Sequence, residues 1–305
     1  MSQPAELLPL TPETPLGPAL RVWERYLEEE GRSPYTVRGF VSDLRLLARY
    51  LSPERPIGRI HQQDLEGFLE WLQFHRGVPC SPKSLARRIT SLKAFFRWLH
   101  AYGVIPGNPA ERLVQRSVTT PLPQVLTPQE VSRVLETAMA LRRGTKPDAR
   151  PFVLFLLLYA TGMKKGEVLN LRVRHLVLEG PGAPYLFVRY PKPSHRYKER
   201  RLELPAEWVA AFREYQAQYV VVERVFPWSP RGVEYVLEGL GKEAGLPRRL
   251  SFAMCRWTAA LRDWRQGMEP EALREKLGLS PVQWKDVARK LVRLDAQVPS
   301  TEPYP

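Results

Sequence analysis

Along most of the chain apolar residues recur every three or four positions, the spacing that gives a helix one buried face. Four such stretches come first. The spacing predicts a helix over about 17–30, with Leu20, Trp23, Tyr26 and Leu27 on one side, and a stop at Gly31. A second follows Ser33-Pro34 and carries Val37, Phe40, Val41, Leu44, Leu47, Ala48 and Leu51. Serine as the cap with proline at the first helical position is a strong start signal. A third covers about 62–75 through Leu65, Phe68, Leu69 and Leu72. The fourth opens at Ser81-Pro82 and runs to about Tyr102 through Leu85, Ile89, Leu92, Phe96 and Leu99. Together they predict a helical domain over 16–103, after a flexible tail at 1–15.

Periodicity then lapses. Residues 104–125, VIPGNPAERLVQRSVTTPLPQV, are proline-rich and read as an interdomain linker. A second domain is expected over 126–295, opening at Leu126-Thr127-Pro128 with Thr127 as cap. Helical runs at 152–160 and 167–171 flank a turn at Gly162. Two β-rich runs, Tyr185–Tyr190 and Arg200–Leu204, joined by a basic loop, predict a hairpin. Helices are expected at about 205–219, 230–244, 251–266, 269–277 and 281–294, before a polar tail at 296–305. The fold class is mainly α with a small β-hairpin or sheet.

A length of 305 residues suits two domains, each able to bury its own core. Cys80 and Cys255 lie far apart, in no cluster with metal-ligand spacing. Neither a disulfide framework, a metal site nor a cofactor is expected. The longest apolar run, Phe152–Ala160, is about half a membrane span. The N-terminus has no basic region ahead of an apolar one, so a cytoplasmic protein is expected. Thirty prolines and only two asparagines, Asn108 and Asn170, suggest a thermophilic source.

Charge changes the picture most. The formal net charge is +14, with 16 basic against 12 acidic residues through position 120 and 30 against 20 beyond it. Such an excess points to a polyanionic partner. In the first domain Thr36 and Arg38 on the second helix, and Lys83, Arg87, Arg88 and Lys93 on the fourth, lie off the apolar stripe. They could reach phosphates. The same faces also suit an ordinary solvated bundle, so they do not decide alone.

Several stretches in order resemble the tyrosine recombinase or phage integrase family. They are SPYTVRGFVSDLRLLARYL and Pro106–Ala110 in the first domain, then LTPQEV, LYATGMKKGEVLNL, YKERRLELP, VFPWSP, KEAGLPRRLS and KLGLS. The resemblance implies an N-terminal helical core-binding (SAM-like) domain and a C-terminal tyrosine-recombinase-like catalytic-fold domain. It implies duplex DNA as partner and a metal-free phosphoryl transfer. In that chemistry a tyrosine attacks the phosphate, two arginines stabilise the transition state, and Lys and His groups move protons.

Carried onto this chain, the first arginine position is Lys164, which keeps the charge but loses the planar fork that grips two phosphate oxygens. The hairpin lysine falls on Lys192, with Lys198 as the alternative register. The second arginine is Arg256, and the histidine position three residues earlier is Ala253. The second histidine position is Leu279, and the tyrosine is expected near Ala288. No tyrosine lies between Tyr235 and Tyr304, and none of the five histidines (61, 75, 100, 175, 195) falls in this region. What the resemblance leaves is a basic pocket of Lys164, Lys165, Lys192, Lys198, Arg200 and Arg256 around a phosphate position, with local acids such as Glu167 and Glu199 as competing partners.

The expectation is a DNA-binding protein of the recombinase fold that does not cleave, with an architectural or regulatory duty, alone, self-associated or beside an active relative. Two alternatives stand beside it. One is a recombinase with a displaced nucleophile, Tyr304 supplied by a neighbour being the main candidate and Tyr197 and Ser280 lesser ones. The other is a protein-interaction module that has lost DNA binding.

Overall fold

A computed structural model describes residues 10–78, 80–114, 121–298 and 303–305. The chain divides into two compact units, 1–120 and 121–305. In the first, α1 (Leu16–Glu29), α2 (Pro34–Leu51), α3 (Gln62–Glu70) and α4 (Pro82–Ala101) form the expected bundle. The α3 axis continues through a π-helical turn, Trp71–His75. Both serine caps are made: Ser33 Oγ accepts from the Thr36 N–H at 3.1 Å and Ser81 Oγ from the Ser84 N–H at 3.2 Å. The core is aromatic, with Trp23, Phe68, Phe95 and Phe96 fully buried.

Two expectations at this unit's ends are corrected. Of the expected tail, residues 10–15 are folded in: Pro12 O accepts from the Gly58 N–H at 2.8 Å, and Pro15 pairs with Pro56. Residues 1–9 lie outside the described residues. Residues 104–113, read as the start of the linker, bury Ile105, Ala110 and Leu113 in the first core. Isolated apolar anchors carry no period, so the sequence reads as a loop. Residues 115–120 lie outside the described residues.

In the second unit, α6 (Arg150–Thr161) is apolar all round, and α5 (Pro128–Arg143), α8 (Ala206–Gln218), α9 (Pro230–Glu243) and α10 (Phe252–Arg265) pack about it. Thr127 and Glu130 exchange the two hydrogen bonds of a capping box at the start of α5. Gly162 ends α6 at φ +61°, and a Cβ there would stand 3.0 Å from Leu277 Cδ2. The short α7 (Lys165–Leu169) follows at once.

The hairpin forms as β2 (Tyr185–Val188) and β3 (Arg200–Glu203), and a strand not foreseen, β1 (Leu176–Val177), adds to it in the antiparallel order β1-β2-β3. Two residues are too few for a period. Alternation along β3 places Leu202 in the core and, on the same inner face, Arg200, whose side chain is only 8% exposed. That register brings a cation inside. The unit closes with α11 (Pro270–Lys276) and α12 (Pro281–Gln297).

The expected C-terminal tail is also corrected. Tyr304 is buried, its hydroxyl donates to the Leu126 carbonyl at 2.9 Å, and the Tyr159 hydroxyl donates to Pro305 O at 2.8 Å. Residues 299–302 lie outside the described residues. Among the described residues no helix is long and apolar enough to cross a membrane, and no group of three or more His, Cys, Asp or Glu could hold a metal ion.

Candidate functional site

The site is built around the C-terminal end of α11. Four successive backbone carbonyls there each accept a hydrogen bond from a different cationic side chain. Arg200 Nε donates to Lys276 O at 2.6 Å, Arg256 Nη2 to Leu277 O at 2.7 Å, Lys164 Nζ to Gly278 O at 3.2 Å and Arg274 Nη1 to Leu279 O at 2.6 Å. A helix C-terminus presents unpaired carbonyls and a partial negative charge, so cations are drawn to it. Gly278 makes the turn possible. Its φ is +57°, and a Cβ there would lie 2.6 Å from Arg200 Nη1.

A single buried carboxylate organises the other side. Glu167 receives Arg200 through two parallel bonds of 3.0 Å, the Tyr190 hydroxyl, and the backbone N–H of Lys164 at 2.8 Å. Burial works to raise its pKa, but Arg200, Tyr190 and the Lys164 N–H together hold it below the usual carboxylate range. Both of its oxygens are engaged, which leaves the Lys164 amine without a carboxylate hydrogen bond. Burial first, and then the neighbouring Arg256 charge, push the Lys164 amine down to about 8. Burial likewise brings Arg256 down to about 10, and its Nη1 also donates to the Gly162 carbonyl.

Lys164 and Arg256 line a pocket of about 170 Å³ whose other walls are Trp257, Ala260, Leu277, Leu279, Gln283 and Val287. The apolar walls include Leu279, 8% exposed and expected from the resemblance at the second histidine position, and Val287, next to Ala288 on α12, where the tyrosine was expected. Ala253 is exposed on the first turn of α10. No tyrosine or histidine lines the pocket. Ser280 is committed as the cap of α12, accepting from the Gln283 N–H at 3.3 Å. Tyr197 is 62% exposed beneath the Lys198 ammonium, and Tyr304 is held by Leu126 in its own chain.

The remaining candidate residues separate into groups. Lys198 stands 5.9 Å from the Tyr190 ring centre, and its charge acts on Lys164, whereas Lys192 is exposed at the start of the 3-10 turn Pro193–Lys198. Lys165 is paired with Glu234 at 2.7 Å. In the first unit the buried Asp43 takes Arg87 at 2.5 Å, Ser91 at 2.8 Å and Arg88 at 3.6 Å, and Arg88 also reaches Cys80 Sγ at 2.6 Å. Arg88 is thus mostly structural, with 13% of its side chain exposed, while Arg87 keeps 47%. Lys93 donates to Glu111 O at 3.2 Å, Thr36 is part of the Ser33 cap, and Lys83 is exposed. Arg38 is exposed and stacks 5.1 Å from the ring centre of Tyr35, itself 78% exposed.

Reasoning on the sequence missed Tyr190, Gln283, Trp257 and the carbonyl run. The first is hinted at by its place at the end of a strand; the carbonyls leave no side-chain signal.

A sequence profile for the phage integrase N-terminal SAM-like domain matches residues 20–103, and one for the phage integrase family matches 124–284. The chain is 29% identical over 279 residues to tyrosine recombinase XerA of Thermococcus onnurineus (strain NA1), covering 88% of this chain and 89% of that one. It is 25% identical over 268 residues to tyrosine recombinase XerC of Lacticaseibacillus casei (strain BL23), covering 85% and 89%. Among solved structures, XerH site-specific recombinase bound to palindromic difH substrate matches with a TM-score of 0.70 at 17% identity, over 92% of this chain and 82% of that one. A lambda integrase dimer bound to a COC′ core site matches with a TM-score of 0.69 at 17% identity, over 90% and 77%. With profiles matching both units in order, and relatives of similar length aligned across most of the chain, the protein belongs to the phage integrase family.

Proposed function

We propose that this protein binds duplex DNA through the recombinase fold and does not cleave it. The observation that carries the reading is the pocket itself. Lys164 and Arg256 line it beside the apolar Leu277, Leu279 and Val287, and no tyrosine or histidine is among its described lining residues. A covalent phosphoryl transfer ends without a nucleophile, whereas losing one acid or base typically costs ~10²- to 10⁴-fold. The net charge of +14 supports a phosphate partner, as do the recombinase relatives, two of whose structural neighbours are described as bound to DNA sites. The docking of Tyr304 against Leu126 speaks against its delivery to a neighbouring subunit.

In this reading the protein acts in the cytoplasm as an architectural or regulatory factor. It occupies a site, or joins copies of itself or an active relative there. Two measurements test it. A mobility-shift titration on duplex DNA should give affinity that falls steeply with salt, because each neutralised phosphate releases counterions. Nicked suicide duplexes, incubated with the protein and denatured, should give no phosphotyrosine-type adduct. An adduct would overturn the reading, and salt-insensitive or absent binding would favour a protein-interaction module.

A further inference from the structure

The amine of Lys164 is unusually placed for a phosphate ligand. Among the described residues it donates one hydrogen bond, to the Gly278 carbonyl at 3.2 Å, and both Glu167 oxygens are engaged by Arg200, Tyr190 and the Lys164 backbone. The largest charges acting on it are Arg256, Arg200 and Lys198, opposed by Glu167, and Leu277, Leu279 and Trp257 wall the pocket. Like charges and poor solvation favour the neutral amine, which is brought down to about 8. At neutral pH most of the amine is still charged, but far more of it is neutral than in an ordinary lysine. The neutral form attacks carbonyl carbon, and desolvation beside other cations is how a lysine is made into such a nucleophile.

Ordinary DNA offers no reactive carbonyl, but an abasic deoxyribose in its ring-opened form carries an aldehyde at C1′, one sugar away from phosphates. We propose that Lys164 forms a reversible imine with the C1′ aldehyde of an abasic site in bound DNA, Arg256 holding the adjacent phosphate. This rests on the DNA-binding reading of the same pocket. The step balances without a further reactant: the Nζ–C1′ bond forms, the two amine hydrogens leave with the aldehyde oxygen as water, and hydrolysis reverses it. The pocket of about 170 Å³ with apolar walls suits a sugar stripped of its base.

The test uses the full-length protein, a duplex with one abasic site, a matched intact duplex, and sodium borohydride to reduce any imine to a stable amine. Both duplexes should be shifted, only the abasic one should give a denaturation-resistant adduct, and peptide mapping should place it on Lys164. Lys164→Arg, which restores a guanidinium, should bind DNA more tightly and lose at least tenfold in adduct. Lys146→Arg, in an exposed loop, should not change the yield. An adduct mapped to other lysines, an undiminished adduct with Lys164→Arg, or a shifted abasic duplex that gives no adduct would each refute the inference and leave the DNA-binding reading standing. If neither duplex is shifted, that reading fails and the inference with it.

Discussion

Substituting Gly278 by alanine tests whether the cation cluster is built as described. Two effects add. The residue sits at φ +57°, where an L side chain costs about 1–2 kcal/mol. The new Cβ would also fall 2.6 Å from Arg200 Nη1 and 3.0 Å from its Cζ, so the guanidinium has to move. Arg200 cannot move freely: it bonds Lys276 O, Lys198 O and, through both terminal nitrogens, the buried Glu167. If the Glu167 pair survives by a small shift, the loss stays at about 2 kcal/mol; if it breaks, an uncompensated buried carboxylate adds about 3–5 kcal/mol. The expected total is therefore about 2–7 kcal/mol. Equilibrium denaturation gives the magnitude, and amide exchange of peptides from α6, α7 and α11 reports the second unit separately from the first. Gly166→Ala is the control, because nothing lies within 4 Å of a Cβ there and helix propensity favours alanine. A Gly278→Ala protein within about 0.5 kcal/mol of the parent would refute the packing argument, that being the range of an ordinary surface substitution.

Further expectations concern single groups. Lys164→Met should stabilise the fold near pH 7 by about 1–3 kcal/mol, since the buried ammonium is penalised relative to the unfolded chain. The sign follows from the lowered folded pKa: the penalty is full below about 8, fades as pH rises towards the ordinary lysine value of 10.5, and is gone above it. Melting curves at pH 7 and 10 check it, and an equal difference at both would contradict it. Asp43→Ala should destabilise the first unit by about 3 kcal/mol by leaving Arg88 and the buried Ser91 unpaired, with Asp43→Asn milder; denaturation of the two variants decides. Tyr304→Phe should cost about 1–2 kcal/mol, because the Leu126 carbonyl loses a buried donor, and should leave duplex affinity unchanged. A drop in affinity would show that the C-terminus does more than pack.

Much of the architecture was legible locally. The Ser33-Pro34, Ser81-Pro82 and Thr127-Pro128 starts each cap the helix they announce, because a cap and its first turn are contiguous residues. The period of apolar positions marked α1 to α4, while α6, apolar on every face, showed as an unbroken apolar run. The two-residue β1 and the packed residues 104–113 escaped, since neither repeats long enough to show a period. At the site, Lys164, Arg256 and Leu279 were singled out by resemblance, and the structure brings the three to one pocket. Arg200 was read as a phosphate ligand, yet it is buried on Glu167 as an internal prop.

The linear chain alone settled the two-domain plan and the basic character, because those are properties of residue identity and order. Only the folded chain decided which cations line the pocket and which are held by the protein. Residues 164, 200, 256 and 274 converge on the carbonyls of 276–279, and every residue carries a carbonyl, so no pattern of side chains marks those that will be left open at a helix end. The same holds for Tyr304, a residue of a polar terminus by sequence and a core residue once Leu126 offers its oxygen across the fold.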